Sequence, residues 1–256
     1  MQRTVQPQSQ PPSTEIRPGV FRPDWSAATT AAARDALLAR SASRERLLDR
    51  WAIPLDAMAD CLWRCALQLF GDLARAPSVD ELAVAIGWPL PRVKAALQEL
   101  QHRDLLGLDA AGTAIDYAYP FTSRHTGHTV QLGAHALNAL CAIDALGVAA
   151  MYQHDIVITS RCTLCGTGIK FMTADRGHRL RSVSPENAVV WYDFRYAGCA
   201  ATSVCQMTVF FCSDAHLQAW RNGMASEEDG RRLLPAEALE AGRALFAPLL
   251  AEPMRA

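Results

Sequence analysis

The chain has 256 residues, 25 basic and 26 acidic side chains, and an apolar half. That length can bury a real core in one large or two small domains, and the composition excludes a wholly disordered, collagen-like or small disulfide-rich protein. A net charge of -1 supplies no overall attraction to nucleic acid or to an anionic membrane; the basic residues are almost all arginine, with Lys94 and Lys170 the exceptions, which reads as a genomic bias.

Residues 1–24 are rich in proline and glutamine without a periodic apolar pattern, so a disordered tail is expected there. The N-terminus has no apolar segment of a secretory leader. This points to a reducing, cytoplasmic setting, where clustered cysteines indicate metal binding or catalysis more than disulfides. Residues 25–125 read as a helical, winged-helix-like domain. Ala27 to Arg50 is expected to be helical, with Leu37, Leu38, Leu47 and Leu48 as apolar points. Leu55 to Leu73 is amphipathic, with Leu55, Met58, Leu62, Leu69 and Phe70 on one stripe. Ser78 and Glu81 form a capping box for a helix ending near Gly87. Pro91 suits the first turn of the next helix, which Val93, Leu97 and Leu100 carry to Gln101. Leu105 to Leu108 and Ala114 to Tyr119 then flank the turn Asp109 to Gly112 as a hairpin.

Residues 126–256 read as an α+β domain with a small, mostly antiparallel sheet. A helix is expected over Ala134 to Ala150, and strands at Ile156 to Ser160, Gly168 to Thr173, Ala188 to Asp193 and Cys205 to Phe211. A short helix at Ser213 to Gly223, a solvated loop with Glu227, Glu228 and Asp229, and a closing helix from Pro235 to Leu250 complete the chain. The apolar run Ala134 to Tyr152 approaches membrane-spanning length, but Asn138 and Asp144 at its centre favour a buried helix of a soluble protein.

Two constellations carry chemistry. Cys141 and Asp144 stand three residues apart in the most apolar stretch, so on a helix they share nearly one face. Burial there raises a carboxyl pKa unless a cation or donors hold it, and a protonated carboxyl beside a thiol is a usable proton donor. The bland alternative is a bonded buried Asp with Cys141 as a small core residue. The second constellation is Cys162 and Cys165 as a CxxC after a strand, with Cys212 and His216 four apart at a strand-to-helix junction. Together they have the ligand types of a Cys3His structural zinc site; the alternative is free thiols with His216 on an exposed helix face. Cys205 matters if the fold brings it to Cys141. Cys61 and Cys65, one helical turn apart, read as core thiols, and Arg195 and Tyr196 as residues at a pocket mouth.

Leu140-Cys141-Ala142-Ile143-Asp144-Ala145-Leu146 resembles the Cys-Ala-x-Asp segment of the organomercurial (alkylmercury) lyases. Ile158-Thr-Ser-Arg-Cys162 with Gly166 is similar to that family's next strand and its structural cysteine, and Ser203-Val204-Cys205 with Phe210-Phe211 to the segment bearing its second active-site cysteine. The resemblance spans about residues 54–220. It implies that Cys141 and Cys205 bind mercury and that Asp144 carries a proton. Mercury would then be substrate and product, no organic cofactor is needed, and a mercuric-ion reductase or small thiols would receive the product. Gln206 departs from members with a further cysteine there, and Cys165, Cys199 and Cys212 are extra thiols.

The residue types suit this chemistry. Mercury(II) is soft and prefers few thiolate ligands, and an adjacent acid can protonate the carbon as the carbon–mercury bond breaks. Two rivals predict otherwise. A winged-helix metal-sensing regulator would need more than the three cations Arg92, Lys94 and Arg103 near its candidate recognition helix. A non-catalytic thiol-rich metal carrier would need the cysteines but not Asp144.

Overall fold

The computed structural model describes residues 23–43, 55–223 and 230–251. The expected tail before residue 23, the helix beyond residue 43 and the loop at Glu227, Glu228 and Asp229 lie outside them.

Helix α1 (Ala31–Ser43) starts where Glu240, far along the chain, accepts from the backbone N–H and hydroxyl groups of both Thr29 and Thr30. Burial disfavours that carboxylate, yet the four donors hold it below the usual glutamate range. Helix α2 (Ala57–Leu73) is capped by Asp56, whose carboxylate accepts from the Met58 and Ala59 amides, and it buries Leu62, Leu67 and Phe70. Helix α3 (Val79–Ile86) opens on the expected Ser78–Glu81 capping box and closes at Gly87, whose φ of 70° suits a residue without Cβ. Helix α4 (Leu90–His102) carries Pro91 in its first turn and buries Val93, Leu97 and Leu100. Strands β1 (Leu106–Leu108) and β2 (Ile115–Ala118) form the wing, its turn tied by Asp109, which accepts from the Thr113 amide and hydroxyl.

After β3 (Phe121–Thr122), the segment expected to begin a long helix is instead a hairpin of β4 (Thr129–Leu132) and β5 (His135–Ala139). The Ala-Leu-Asn-Ala sequence has helix propensity, but β5 is sandwiched between β3 and β4, with Leu137 and Ala139 buried. Tertiary pairing overrides a local preference worth tenths of a kcal/mol per residue. Helix α5 (Ala142–Tyr152) starts eight residues late, and every residue from Ala142 to Met151 is buried. The sheet continues through β6 (Ile156–Arg161), β7 (Gly168–Ala174) and β8 (Arg179–Ser184). Its order is β1-β2-β3-β5-β4-β6-β7-β8, antiparallel throughout. The α+β, antiparallel expectation holds; the sheet is larger than expected because the wing joins it edge to edge across residue 125.

A second sheet places β9 (Val189–Asp193) between β10 (Val209–Phe211) and β11 (Gly230–Leu233), again antiparallel. The strand expected over Cys205 to Phe211 is shorter. Its first part is a one-turn helix, α6 (Val204–Met207), because pairing with β9 starts only at Val209 opposite Trp191. Helix α7 (Asp214–Arg221) follows, and the closing helix α8 (Pro235–Leu250) lies against α5. Their backbones meet at two glycines. A Cβ on Gly147 would lie 2.3 Å from Phe246 Cδ2 and 2.9 Å from the Gly242 carbonyl. This close approach fixes the depth of α5 in the core. No helix among the described residues is long and apolar enough to cross a membrane.

Candidate active site

Cys141 is not inside α5 but is its N-cap. Its backbone is extended (φ -150°, ψ 179°), and its Sγ accepts from the Asp144 amide at 3.3 Å. Leu140 donates to the Pro120 carbonyl and Ala142 to the Thr208 carbonyl. The strand-to-helix corner is therefore held from both sides, and its second tether reaches the segment that carries Cys205. Asp144 sits in the first helical turn, where the N-terminal dipole favours a carboxylate. Cys205, on α6, donates from Sγ to Asp144 Oδ2 at 3.6 Å. The fold thus joins Cys141, Asp144 and Cys205, although Asp144 and Cys205 are 61 residues apart. Their ligand atoms all lie within 4.8 Å of one another, and all three residues are buried. Burial pushes the Cys141 thiol well above its ordinary range, helped by Cys205 and Asp144. A neutral thiol there must lose its proton to a neighbour before it binds a soft metal.

The trio borders a cavity of about 40 Å³, lined also by Trp63, Tyr119 and Phe246. Mostly apolar walls strengthen charge interactions between the groups on its floor.

Sequence reasoning missed the clasp on the far side of Cys205. Asp104, buried and in the left-handed region (φ 53°), accepts from the hydroxyls of Tyr117 (3.3 Å), Tyr119 (3.0 Å) and Tyr196 (3.1 Å) and from the Ala200 amide (2.8 Å). Tyr119 also accepts from the Ala201 amide at 2.9 Å. Burial, and then the closeness of Cys205, push the Tyr119 phenol well up. The winged unit therefore holds the chain four or five residues before Cys205. Tyr117 and Tyr119, two apart around β2, carried the only local signal, a shared strand face. Arg195, expected at a pocket mouth, lines with Tyr196 a cavity separate from the one above Cys141 and forms an ion pair with buried Asp193 at 2.7 Å.

The structure also assembles Cys162, Cys165, Cys212 and His216, again with all ligand atoms within 4.8 Å. Burial works against Cys162, yet the backbone N–H groups of Cys212, Cys165 and Leu164 and the His216 ring hold its thiol down at about 6. Burial and the two neighbouring sulfurs push Cys212 up to about 11.

In the winged unit, Arg92 stacks over Trp88 at 4.4 Å, and Arg103 is buried against Glu99 at 2.6 Å. Two of the three cations at the candidate recognition helix, Arg92 and Arg103, thus have protein partners.

The chain is similar to known proteins in sequence and in fold. Residues 121–247 match the family MerB, alkylmercury lyase. An alkylmercury lyase of Staphylococcus epidermidis is 30% identical over 188 residues, covering 73% of this chain and 82% of that protein. The crystal structure of the mercury-bound form of MerB2 superposes with a TM-score of 0.67 at 22% identity, covering 83% of this chain and 99% of that one.

Proposed function

The chain belongs to the alkylmercury lyase family, and on that premise we propose that it cleaves carbon–mercury bonds by protonolysis in the cavity above Cys141, Asp144 and Cys205. The observation that carries this reading is the convergence of two thiols and one carboxyl on a buried floor, their ligand atoms all within 4.8 Å of one another.

The steps follow from the chemistry of the groups. An alkylmercury cation enters the apolar cavity. The Asp144 carboxylate takes a thiol proton as the first sulfur–mercury bond forms; the 3.6 Å bond from Cys205 marks one path for that proton. The other thiol then binds, its proton leaving to solvent. Two thiolates push electron density from mercury toward carbon. Protonated Asp144 delivers its proton to the electron pair of the carbon–mercury bond. The hydrocarbon leaves, and mercury(II) remains on Cys141 and Cys205 in the two-coordinate state it prefers. One of the two thiol protons ends on carbon, and no electron is gained or lost. Small thiols or a mercuric-ion reductase would then withdraw the metal by thiol exchange, in a reducing cytoplasm.

The test is headspace detection of methane from methylmercury chloride, with purified protein and excess small thiol. Enzyme-dependent methane, lost in both Asp144→Ala and Cys141→Ala, supports the reading. Tight mercury binding by the folded protein without methane overturns it and leaves a carrier.

A further inference from the structure

We propose that Cys162, Cys165, Cys212 and His216 form a closed structural zinc(II) site, separate from the mercury pocket and independent of the lyase reading. The donor separations come near those of a tetrahedral site before the ion is placed. Zinc–sulfur bonds near 2.3 Å and zinc–nitrogen bonds near 2.0 Å put two sulfurs about 3.8 Å apart and a sulfur and nitrogen about 3.5 Å apart. Cys165 and Cys212 Sγ are 3.7 Å apart, Cys162 Sγ and His216 Nδ1 3.6 Å, and Cys212 Sγ and His216 Nδ1 3.1 Å. A disulfide would need about 2.0 Å. Three sulfurs and one imidazole nitrogen are the donors zinc takes in structural sites, and four of them leave no open position for a substrate. Mercury(II), which favours two nearly linear bonds, would leave half the set unused.

The backbone is shaped for the same purpose. The Cys162 carbonyl accepts from the Gly166 amide at 2.8 Å, closing a tight turn around Cys165, and Gly166 takes the φ of 75° that the turn requires. His216 lies in the first turn of α7, set by the Ser213 cap at 3.3 Å. Thr163 donates through its amide and its hydroxyl to the Phe210 carbonyl, at 3.1 and 3.3 Å. The tetrad therefore joins the β6–β7 turn of the large sheet to the β10–α7 corner of the small one. Strand β10 runs straight from Cys212 back toward Cys205, so the ion would anchor the chain that seats the second pocket sulfur.

The experiment measures metal in the full chain purified under reducing conditions without chelator. About one zinc per chain is expected, retained in Cys141→Ser and released in Cys165→Ser, whose zinc affinity should fall by more than the roughly 100-fold that loss of a ligand's hydrogen-bond partner costs. Cobalt(II) substitution of the unmodified chain gives a second readout that needs no variant: intense tetrahedral bands with thiolate-to-cobalt charge transfer are expected. Metal-free protein of unchanged thermal stability on adding zinc overturns the proposal. So do a Cys165–Cys212 disulfide, seen as a mass lower by two hydrogens, iron in place of zinc, zinc lost from Cys141→Ser instead, or an octahedral cobalt spectrum.

Discussion

The two cysteine clusters, in the pocket and at the β6–β7 turn, are built from the same soft atom to opposite ends. In the pocket, two sulfurs share a buried floor with one carboxyl group and face an apolar cavity. At the turn, three sulfurs and a ring nitrogen face one another at the surface, with Cys165 exposed and Cys162 buried. The first set leaves coordination sites open and keeps an acid within reach; the second leaves none. On the two proposals above, ligand number and neighbour chemistry, not residue type, separate a site that would handle cargo from one that would hold a fold together. Strand β10 links them, since Cys205 precedes it and Cys212 follows it.

The largest expected effect breaks the pocket alone. Asp144→Asn keeps the shape of the side chain but removes the proton carrier, so methane release should fall about 10²–10⁴-fold, the usual worth of a positioned acid. Capture of methylmercury by Cys141 and Cys205, followed by equilibrium dialysis, should survive. A variant that loses capture and release together would make Asp144 structural. The next effect crosses the two clusters. Cys141→Ser should abolish lyase turnover and leave zinc in place. Cys165→Ser should lose zinc and lower the melting temperature while turnover falls less, as differential scanning calorimetry and methane assays run side by side would show. Equal damage from both would mean that the clusters are one site.

How much of this was legible depends on how local each feature is. The Ser78–Glu81 box, the Asp109 turn and the β-branched and aromatic content of β6 and β7 are short-range patterns, and their elements appear where expected. Both cysteine clusters could be picked out because few side chains bind soft metals. Their internal distances could not, because each cluster joins segments far apart in the chain: Asp144 and Cys205 are 61 residues apart, and Cys162 and His216 are 54 apart. Strand β5 looked helical because alanine and leucine carry helix propensity, while its pairing partners lie elsewhere in the chain. Strand β8, Arg-Leu-Arg-Ser-Val-Ser, escaped notice because an edge strand exposed to water needs no continuous apolar face, and its charges discourage further pairing. The Asp104 clasp joins residues 92 and 96 positions apart and left no local trace beyond the tyrosine pair.

A smaller effect probes the strand between the clusters. His128 is buried, its Nδ1 2.8 Å from Ser160 Oγ and its ring edge-on to Phe210 of β10 at 5.5 Å. Burial pulls its pKa down from 6.5 to about 4. Between those values the unfolded chain binds a proton that the folded chain refuses, so stability falls as pH drops through the window and is flat above it. The whole window is worth about 3 kcal/mol. Urea unfolding midpoints from pH 7 to 4 should decline in the unmodified chain and decline less in His128→Gln; parallel curves would show that His128 does not govern the acid response.

The smallest effect tests whether the winged unit positions the pocket or merely abuts it. Tyr119→Phe removes one hydroxyl, leaving the Ala201 amide without its 2.9 Å acceptor and Asp104 without one of its donors. A buried group left unpaired costs about 1–3 kcal/mol, and most of that cost falls on the chain just before Cys205. The phenol is not expected to touch the departing carbon, so the acid step itself should be intact. If the clasp seats Cys205, methylmercury capture should weaken several-fold and turnover under saturating substrate should change little, because Asp144 still delivers its proton once mercury is bound. A purely structural role predicts a lower melting temperature with both kinetic parameters unmoved. Loss of turnover at saturation with capture intact would place Tyr119 in the proton path, and the pocket would then draw its chemistry from both halves of the chain.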